Sequence, residues 1–164
     1  MTMAKVALIS GGRGFLGSHL AKELVAQGLE VHITTREAMD TVAGEIRLHG
    51  CDFAHLASGE ALLAKVSPDV IYHLAGAVSA RPELSLVLPT FHSHLHSAVN
   101  LLTLITQCSS TRLVLSGSLN EGNEEDASSP YSAAKISARV YSRMFHALYG
   151  TKCVFVRPFM TFGP

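Results

Sequence analysis

Residues 10–20 read SGGRGFLGSHL, and this stretch decides the fold that the sequence predicts. It follows a short apolar run at 6–9 and opens a helical pattern of leucines. A strand, a glycine turn and a helix in this order are the context of a dinucleotide-binding fingerprint. The spacing G-x-G-x-x-G is met by Gly12, Gly14 and Gly17, and Gly11 adds the variant G-x-x-G-x-x-G. Such glycines let the backbone approach a pyrophosphate and let the helix pack close to the strand. We therefore expect dinucleotide binding here, the alternative being an ordinary strand-to-helix turn.

The composition indicates one folded domain spanning residues 1–164. Hydrophobic residues make up 48% of the chain and charged residues 16%, with 13 acidic and 13 basic side chains, which argues against disorder. Without a basic excess we expect no nucleic-acid partner, and without a long apolar run we expect no membrane partner. The N-terminus lacks a signal-peptide pattern, and the three cysteines show no paired spacing. These features favour a cytoplasmic protein with reduced thiols.

The end of the second predicted strand, residues 31–35, bears on the choice of cofactor. An acid normally stands there to bind the adenosine ribose, but this chain has Thr35 and then Arg36. A hydroxyl and a guanidinium suit a 2′-phosphate, and Arg13, inside the glycine turn, is a second guanidinium expected to reach the same group. The sequence therefore favours NADP. NAD remains the alternative because Glu37 offers a carboxylate to the ribose.

The remaining pattern alternates strands and helices six times without a hairpin signal. Further strands are predicted at 46–49, 70–74, 112–116 and 153–157, and helices at 55–66, 91–108 and 130–149. Residues 39–45 are predicted as a short helix or a loop, and residues 79–89 as a loop bordering the site. This order predicts an α/β fold, a Rossmann-type doubly wound parallel sheet with helices on both faces.

Several residues after the predicted strands are candidates for the cofactor site. Asp52 follows the third strand, where a carboxylate can accept from the adenine amino group, and Phe53 is placed to line the adenine pocket. The alternative for Asp52 is a helix cap. Ala75 and Gly76 are small enough to let the backbone approach a cofactor after the fourth strand. The histidines at 92, 94 and 96 have no acid or cysteine beside them, so no metal site is expected.

The candidate catalytic chemistry depends on a serine, a tyrosine and a lysine in the C-terminal half of the sequence. Tyr131 and Lys135 are four apart at the start of a helix, so their side chains share one face. An ammonium beside a phenol stabilises the phenolate and makes the tyrosine a better base. Ser118 follows the fifth strand, at the edge of the sheet where ligands bind, and its hydroxyl can donate to a substrate carbonyl. A tyrosine four residues before a lysine occurs by chance in many helices. Here the pair follows a glycine fingerprint and a serine after the fifth strand, and this order favours the catalytic interpretation.

Together these motifs resemble the extended short-chain dehydrogenase/reductases, the NAD-dependent epimerase/dehydratase family of sugar-nucleotide enzymes. The resemblance covers essentially the whole chain, and the matching segments lie at 11–17, 52–53, 68–75, 116–118, 130–135 and 157–164. It implies that Ser118, Tyr131 and Lys135 form the catalytic group and that Lys135 also holds the nicotinamide ribose. The cofactor-binding residues expected from the motifs and the resemblance are Gly11, Gly14, Phe15, Leu16, Gly17, Thr35, Arg36, Asp52, Phe53, Leu74, Ala75, Gly76, Tyr131, Lys135 and Phe159.

The resemblance further implies hydride transfer at a sugar carbon by an epimerase, dehydratase or ketoreductase, with a sugar nucleotide as substrate of the full-length form. It also implies a homodimer through the helices at 91–108 and 130–149. His94 stands where the family usually has asparagine, Met160 replaces another asparagine, and the segment from Ser118 to Tyr131 is short. The family's smaller substrate domain is absent from this chain, which we expect to be a truncated form with poor turnover. The alternative is a non-catalytic NAD(P)-binding or interaction domain left by truncation.

Overall fold

The computed structural model describes residues 5–37, 40–108, 110–121 and 127–163. Most of the polar loop expected before Pro130, together with Met39 and Pro164, lies outside the described residues. Within the described ranges seven strands form one sheet in the order β3-β4-β2-β1-β5-β6-β7. The strands are β1 (Val6–Ser10), β2 (Glu30–Thr35), β3 (Asp40–Ala43), β4 (Ile46–Gly50), β5 (Val70–His73), β6 (Arg112–Ser116) and β7 (Cys153–Val156). All neighbouring pairs are parallel except β3 with β4. The predicted Rossmann-type sheet is confirmed.

Helices connect the parallel strands. They are α1 (Phe15–Ala26), α2 (Leu56–Val66), α3 (Val87–Thr90), α4 (Ser97–Thr106) and α5 (Pro130–Tyr149). A π-helical segment, Phe91–His96, joins α3 to α4, and short 3₁₀ turns lie at Leu84–Leu86 and Leu119–Glu121. The helix α5 begins at a capping box in which Ser129 accepts from the Ser132 N–H at 3.2 Å. This cap starts the helix one residue before Tyr131.

The hairpin of β3 and β4 differs from the prediction, which had a helix or loop at 39–45 and a purely parallel sheet. Asp40 pairs with His49 and Ala43 with Ile46 in antiparallel register. The connection is a two-residue turn in which Gly44 has φ +63°, a value that suits glycine. A four-residue strand is too short to show a period of its own, and its partner β4 decides its conformation.

The helix before β6 also begins earlier than predicted. The sequence places Pro89 in a loop that ends where a helix starts at Phe91. In the structure the helical backbone starts at Val87, so Pro89 lies in the first turn. A proline is tolerated there because the first N–H groups of a helix have no intrahelical acceptor.

The core lies on both faces of the sheet. On one face, α1 packs through Ala21 and Leu24 on Ile9 and Ile33 of the sheet. On the other face, α2, α4 and α5 pack on β1, β5 and β6. The buried residues of this cluster include Leu8, Ile71, Leu113 and Leu115 from strands and Leu62, Leu101, Leu102, Ala138 and Phe145 from helices. The predicted helices on both faces are therefore present.

The chain leaves the adjacent strands β1 and β5 in opposite directions. After β1 it enters α1 on one face, and after β5 it continues to α4 on the other face. Ligands of open α/β sheets bind in the crevice that opens at such a switch point, beyond the carboxyl ends of the strands. The glycine turn and the residues after β5 lie at this crevice.

Candidate cofactor and active site

A cleft of about 1000 Å³ opens at the carboxyl ends of the parallel strands. Every predicted site residue lines it: Gly11, Gly14, Phe15, Leu16, Gly17, Thr35, Arg36, Asp52, Phe53, Leu74, Ala75, Gly76, Ser118, Tyr131, Lys135 and Phe159. The structure thus brings together side chains that are up to 148 positions apart in sequence, from Gly11 to Phe159. The roles assigned to them stay predictions.

The glycine turn forms one wall of the cleft. Gly11 has φ +77°, and a Cβ there would stand 2.7 Å from the Ala75 backbone nitrogen after β5. A Cβ on Gly17 would overlap the Gly11 carbonyl oxygen. Gly14 caps α1 with its backbone, and among the described residues no side chain caps this helix. Its first N–H groups therefore remain available to an anionic ligand.

At the end of β2, Glu37 is contacted by one threonine and one arginine. The Thr35 hydroxyl donates to the Glu37 carbonyl at 3.0 Å, so it is already used within the loop. Arg13 pairs with the Glu37 carboxylate at 3.3 Å, and both side chains are largely exposed. Arg36 is exposed beside them. This corner of the cleft therefore presents an acid and two guanidinium groups together.

After β4, Asp52 and Phe53 have local partners of their own. Asp52 Oδ1 accepts from the Ala54 N–H at 2.9 Å, close to the start of α2. Ala54 precedes α2, whose N-cap is His55 and which has no side-chain cap among the described residues, so this contact closes the turn before the helix and does not cap it. The Asp52 carboxylate still lines the cleft. Phe53 is buried and packs edge-on against the His73 ring, with centroids 6.3 Å apart. Phe53 thus forms the floor of the cleft rather than an exposed wall.

His73 at the end of β5 is a cleft residue that the sequence analysis did not identify. Its Nδ1 lies 2.6 Å from the Ser10 hydroxyl, and its Nε2 lies 3.0 Å from the Ser97 hydroxyl. Burial lowers the pKa of His73 to about 3, with a smaller contribution from Lys135. The neutral ring therefore links β1, β5 and α4 beneath the cleft. A polar residue ending an otherwise apolar strand was the available signal.

His94 lies in the π-helical segment and contacts the candidate catalytic tyrosine. Its ring stands edge-on to the Tyr131 ring at a centroid distance of 5.1 Å. Its Nε2 donates to the Ala77 carbonyl at 2.8 Å, which assigns the proton to that nitrogen. Burial and Lys135 lower the pKa of His94 to about 4, so the ring is neutral near pH 7. π-Helical turns are frequent at functional sites, and this one brings His94 against Tyr131.

Ser118, Tyr131 and Lys135 lie at the opposite wall of the cleft. Lys135 is buried, and its Nζ donates to the Ser116 carbonyl at 2.7 Å and to the Ser116 hydroxyl at 3.3 Å. The same Nζ stands 5.7 Å from the centre of the Tyr131 ring. Ser116, which ends β6, therefore holds the ammonium beside the phenol. In the sequence, Ser116 was part of the matching segment 116–118 but was not a candidate site residue.

Burial of the Lys135 ammonium predicts a pH-dependent stability. Burial lowers the pKa of Lys135 from 10.5 to about 8, and Glu121 opposes part of this effect. Between these two values the unfolded chain binds more protons than the folded chain, so the free energy of unfolding rises with pH. We therefore expect the free energy of unfolding of the wild type to rise with pH relative to that of Lys135→Met between pH 8 and 10.5. The thiols of Cys51 and Cys153, whose pKa values are raised by burial, act in the opposite direction in both proteins. Urea unfolding at several pH values measures it, with exposed Lys22→Met as control. Equal slopes in wild type and Lys135→Met would contradict the burial argument.

No group of three or more His, Cys, Asp or Glu side chains among the described residues could hold a metal ion. No helix in the described ranges is long and apolar enough to cross a membrane.

The fold and the cleft define a Rossmann-type α/β domain, and comparison with known proteins gives its family. The model of the NAD dependent epimerase/dehydratase family matches residues 7–164. The chain therefore belongs to this family, and the resemblance stated from the motifs is confirmed.

Two curated relatives match nearly the whole chain. A UDP-glucose 4-epimerase from Mycolicibacterium smegmatis is 27% identical over 183 residues, covering 96% of this chain and 56% of that protein. A CDP-paratose 2-epimerase from Salmonella typhi is 24% identical over 196 residues, covering 95% and 57%. The chain thus spans a little more than half the length of these relatives.

Solved structures show the same fold. A UDP-glucose 4-epimerase from Thermus thermophilus, in complex with NAD, matches with a TM-score of 0.77 and 26% identity. The match covers 93% of this chain and 54% of that one.

Proposed function

We propose that this chain is the nucleotide-binding portion of an NAD(P)-dependent sugar-nucleotide epimerase, dehydratase or reductase. The observation that carries the proposal is the convergence of Ser118, Tyr131 and Lys135 with the glycine turn in one cleft. The sugar-nucleotide epimerases among the relatives support the substrate class. Turnover of UDP- and CDP-sugars, with Tyr131→Phe as the matched variant, tests it.

The residues of the cleft fit a nicotinamide dinucleotide. A pyrophosphate needs backbone N–H groups and a close approach, which the start of α1 and the side-chain-free Gly11 and Gly14 provide. Asp52 offers a carboxylate oxygen to an adenine amino group at the end of β4. Lys135 has three N–H donors and uses two of them on Ser116, which leaves one for a ribose hydroxyl.

The same residues suit transfer of a hydride and a proton at an alcohol carbon. A bound nicotinamide supplies the hydride acceptor or donor. In the oxidative direction Tyr131, as phenolate, takes the proton from the substrate hydroxyl, and as phenol it returns that proton in the reductive direction. Ser118 donates a hydrogen bond to the carbonyl oxygen, and Lys135 stabilises the phenolate with its charge. His94, packed against Tyr131, limits the positions that the phenol ring can take.

The cofactor preference is a finer proposal, and the two candidates rest on different side chains. NADP is supported by the absence of an acid at Thr35 and by the exposed guanidinium of Arg36. NAD is supported by the Glu37 carboxylate at the same corner and by the NAD in the Thermus thermophilus relative. We retain NADP as the expectation on account of Arg36. The exposed Arg13–Glu37 pair engages a guanidinium as well as a carboxylate and so favours neither cofactor.

The preference predicts opposite responses from two neighbouring variants. Arg36→Ala removes a charge-assisted contact and is expected to weaken NADP binding about tenfold while leaving NAD affinity nearly unchanged. Glu37→Gln removes the repulsion of a 2′-phosphate and is expected to strengthen NADP binding and weaken NAD binding. Titration of both cofactors against the three proteins measures this. Tighter NAD binding that is insensitive to Arg36→Ala would refute the NADP preference.

Assembly and location belong to the same proposal. We retain a homodimer through residues 91–108 and 130–149, supported by the exposed side chains of Val140 and Tyr141 on α5. Leu102 and Ile136 on the same two helices are buried within the protein and do not contribute to such a surface. Cys51, Cys108 and Cys153 are free thiols, which supports a reducing compartment such as the cytoplasm.

The rival proposal is a domain that binds a dinucleotide without turnover. It is supported by the share of the relatives' length that the chain spans, 56% and 57%. Both proposals require cofactor binding, so only a chemical readout separates them.

A further inference from the structure

A buried carboxylate lies next to the candidate catalytic group without belonging to it. Glu121 ends the 3₁₀ turn Leu119–Glu121 after β6, and 1% of its surface is exposed. Taking a carboxylate out of water is costly unless hydrogen bonds and opposite charges replace the lost hydration. The partners of Glu121 therefore indicate what it is there to hold.

One oxygen of Glu121 holds the backbone of the candidate carbonyl donor. Glu121 Oε1 accepts from the Ser118 N–H at 2.7 Å, a short, charge-assisted hydrogen bond. A Cβ on Gly117 would overlap this same oxygen, so the carboxylate sits directly against the turn that carries Ser118. The contact sets the orientation of the Ser118 backbone, and Ser118 lines the cleft.

The other oxygen of Glu121 accepts no hydrogen bond within the described ranges but lies at ion-pair distance from cations on two further elements. Glu121 Oε2 lies 3.2 Å from Nε of Arg157 and 3.5 Å from Nε of Arg139. Arg139 is one helical turn beyond Lys135 on α5, and Arg157 follows β7 and precedes the cleft residues Pro158 and Phe159. A single carboxylate thus joins the Ser118 turn, the helix of Tyr131 and Lys135, and the segment after β7.

We propose that Glu121 is a positioning residue of the reaction centre, which orients Ser118 through its N–H and ties the Ser118 turn to α5, the helix that carries Tyr131 and Lys135. The proposal rests on the function proposed for Ser118 and Lys135. Glu121 is a positioning residue rather than a catalytic one, because its oxygens bind groups of the protein. Its charge raises the pKa of Lys135 and so opposes the effect of burial.

Other groups around Lys135 do not produce the same effect near neutral pH. His73 faces it from β5 and His94 from the π-helical segment, and their pKa values near 3 and 4 leave both rings neutral above pH 6. Arg139 is cationic, and the Tyr131 phenol contacts Lys135 through its ring face. Among the residues that the structure describes, Glu121 is therefore the negative group whose removal we expect to move the Lys135 titration.

Two variants separate the hydrogen bond of Glu121 from its charge. Glu121→Gln keeps an oxygen acceptor for the Ser118 N–H and removes the charge, whereas Glu121→Leu removes both. Exposed Glu60→Gln on α2 is the matched control. NMR of the 164-residue chain gives two readouts that need no substrate: the Ser118 amide proton, with its exchange rate, and the pH midpoint of the Lys135 Cε resonance.

We expect the Lys135 midpoint to fall in both Glu121 variants and to stay unchanged in Glu60→Gln. The Ser118 amide proton is expected to move upfield and exchange faster in Glu121→Leu, and to change much less in Glu121→Gln. In a form of the protein that turns over, Glu121→Leu is expected to lower kcat about 10²-fold with a smaller change in KM, because it displaces the Ser118 donor.

An unchanged Lys135 midpoint in Glu121→Gln, or an unchanged Ser118 amide in Glu121→Leu, would overturn the proposal. If Glu121→Leu does not fold, Glu121→Gln decides the matter through the Lys135 midpoint alone. Since both NMR readouts precede any chemistry, their failure leaves the proposed function standing. Failure of the proposed function is detected separately by Tyr131→Phe.

Discussion

Substitution of Tyr131 by phenylalanine is expected to lower turnover by about 10²–10⁴-fold, the usual contribution of a positioned general acid or base. The phenol lies in the first turn of α5, in the cleft, with the Lys135 ammonium 5.7 Å from its ring centre. Phenylalanine keeps the ring and its edge-on contact with His94 but cannot exchange a proton. The measurement is the turnover number on UDP- and CDP-sugars, with cofactor affinity determined in parallel and expected to change little.

The matched control is Tyr149→Phe, which removes a phenol from the exposed end of the same helix. It is expected to leave both turnover and cofactor affinity unchanged. A protein that keeps its rate with Tyr131→Phe would show that the catalytic assignment is wrong and would leave the binding-domain rival in place.

The form of the protein used in this assay matters. The chain spans a little more than half of its relatives' length, and we expect the 164-residue chain alone to turn over poorly. Positioning the reacting carbon of the sugar nucleotide against the cofactor contributes roughly 7–11 kcal/mol to catalysis in favourable cases. We expect the 164-residue chain to supply only part of the contacts that position it. Turnover is therefore to be measured on the longest form of the protein that is expressed.

Substitution of Gly17 by alanine is expected to lower cofactor affinity at least about 100-fold, a loss of about 2.7 kcal/mol. A Cβ at this position would overlap the Gly11 carbonyl oxygen and stand 2.7 Å from the Gly12 Cα. Both contacts are backbone, so the turn itself must move and its N–H groups are displaced from the pyrophosphate. Isothermal titration with NADP and NAD measures the loss.

Gly28→Ala is the control for this variant. Gly28 has φ +79° after α1, and a Cβ there would have no atom within 4 Å. Alanine is strained in that conformation, so stability falls while the glycine turn keeps its shape. Unchanged cofactor affinity in Gly17→Ala would contradict the assignment of the turn as the pyrophosphate site.

Much of the fold follows from local sequence rules. The apolar run before Ser10, the glycine turn and the leucines of α1 form a unit whose conformation depends on near neighbours. The regular alternation of strands and helices then leaves few topologies, because parallel neighbours need crossovers of one hand. These rules explain why the Rossmann-type sheet and the residues that line its crevice were predictable from the sequence.

What the sequence analysis misplaced depends on partners distant in the chain. Residues 40–43 form a strand because β4 offers them an edge, not because of their own pattern. The start of α3 at Val87 is a different case, because it depends on local sequence. A proline usually marks a helix boundary, but the first turn of a helix tolerates one, and Pro89 lies in that turn.

The sequence by itself determined the family, the order of the parallel strands and the identity of the candidate catalytic group, since each depends on short motifs with fixed spacing. Only the tertiary structure decided the polar network around that group. His73 bonds Ser10, 63 positions away, and Ser97, 24 positions away. Glu121 joins Ser118 to Arg139 and Arg157 on separate elements. Such partners become neighbours only when the sheet assembles, and burial then requires that each polar group be satisfied where the fold places it.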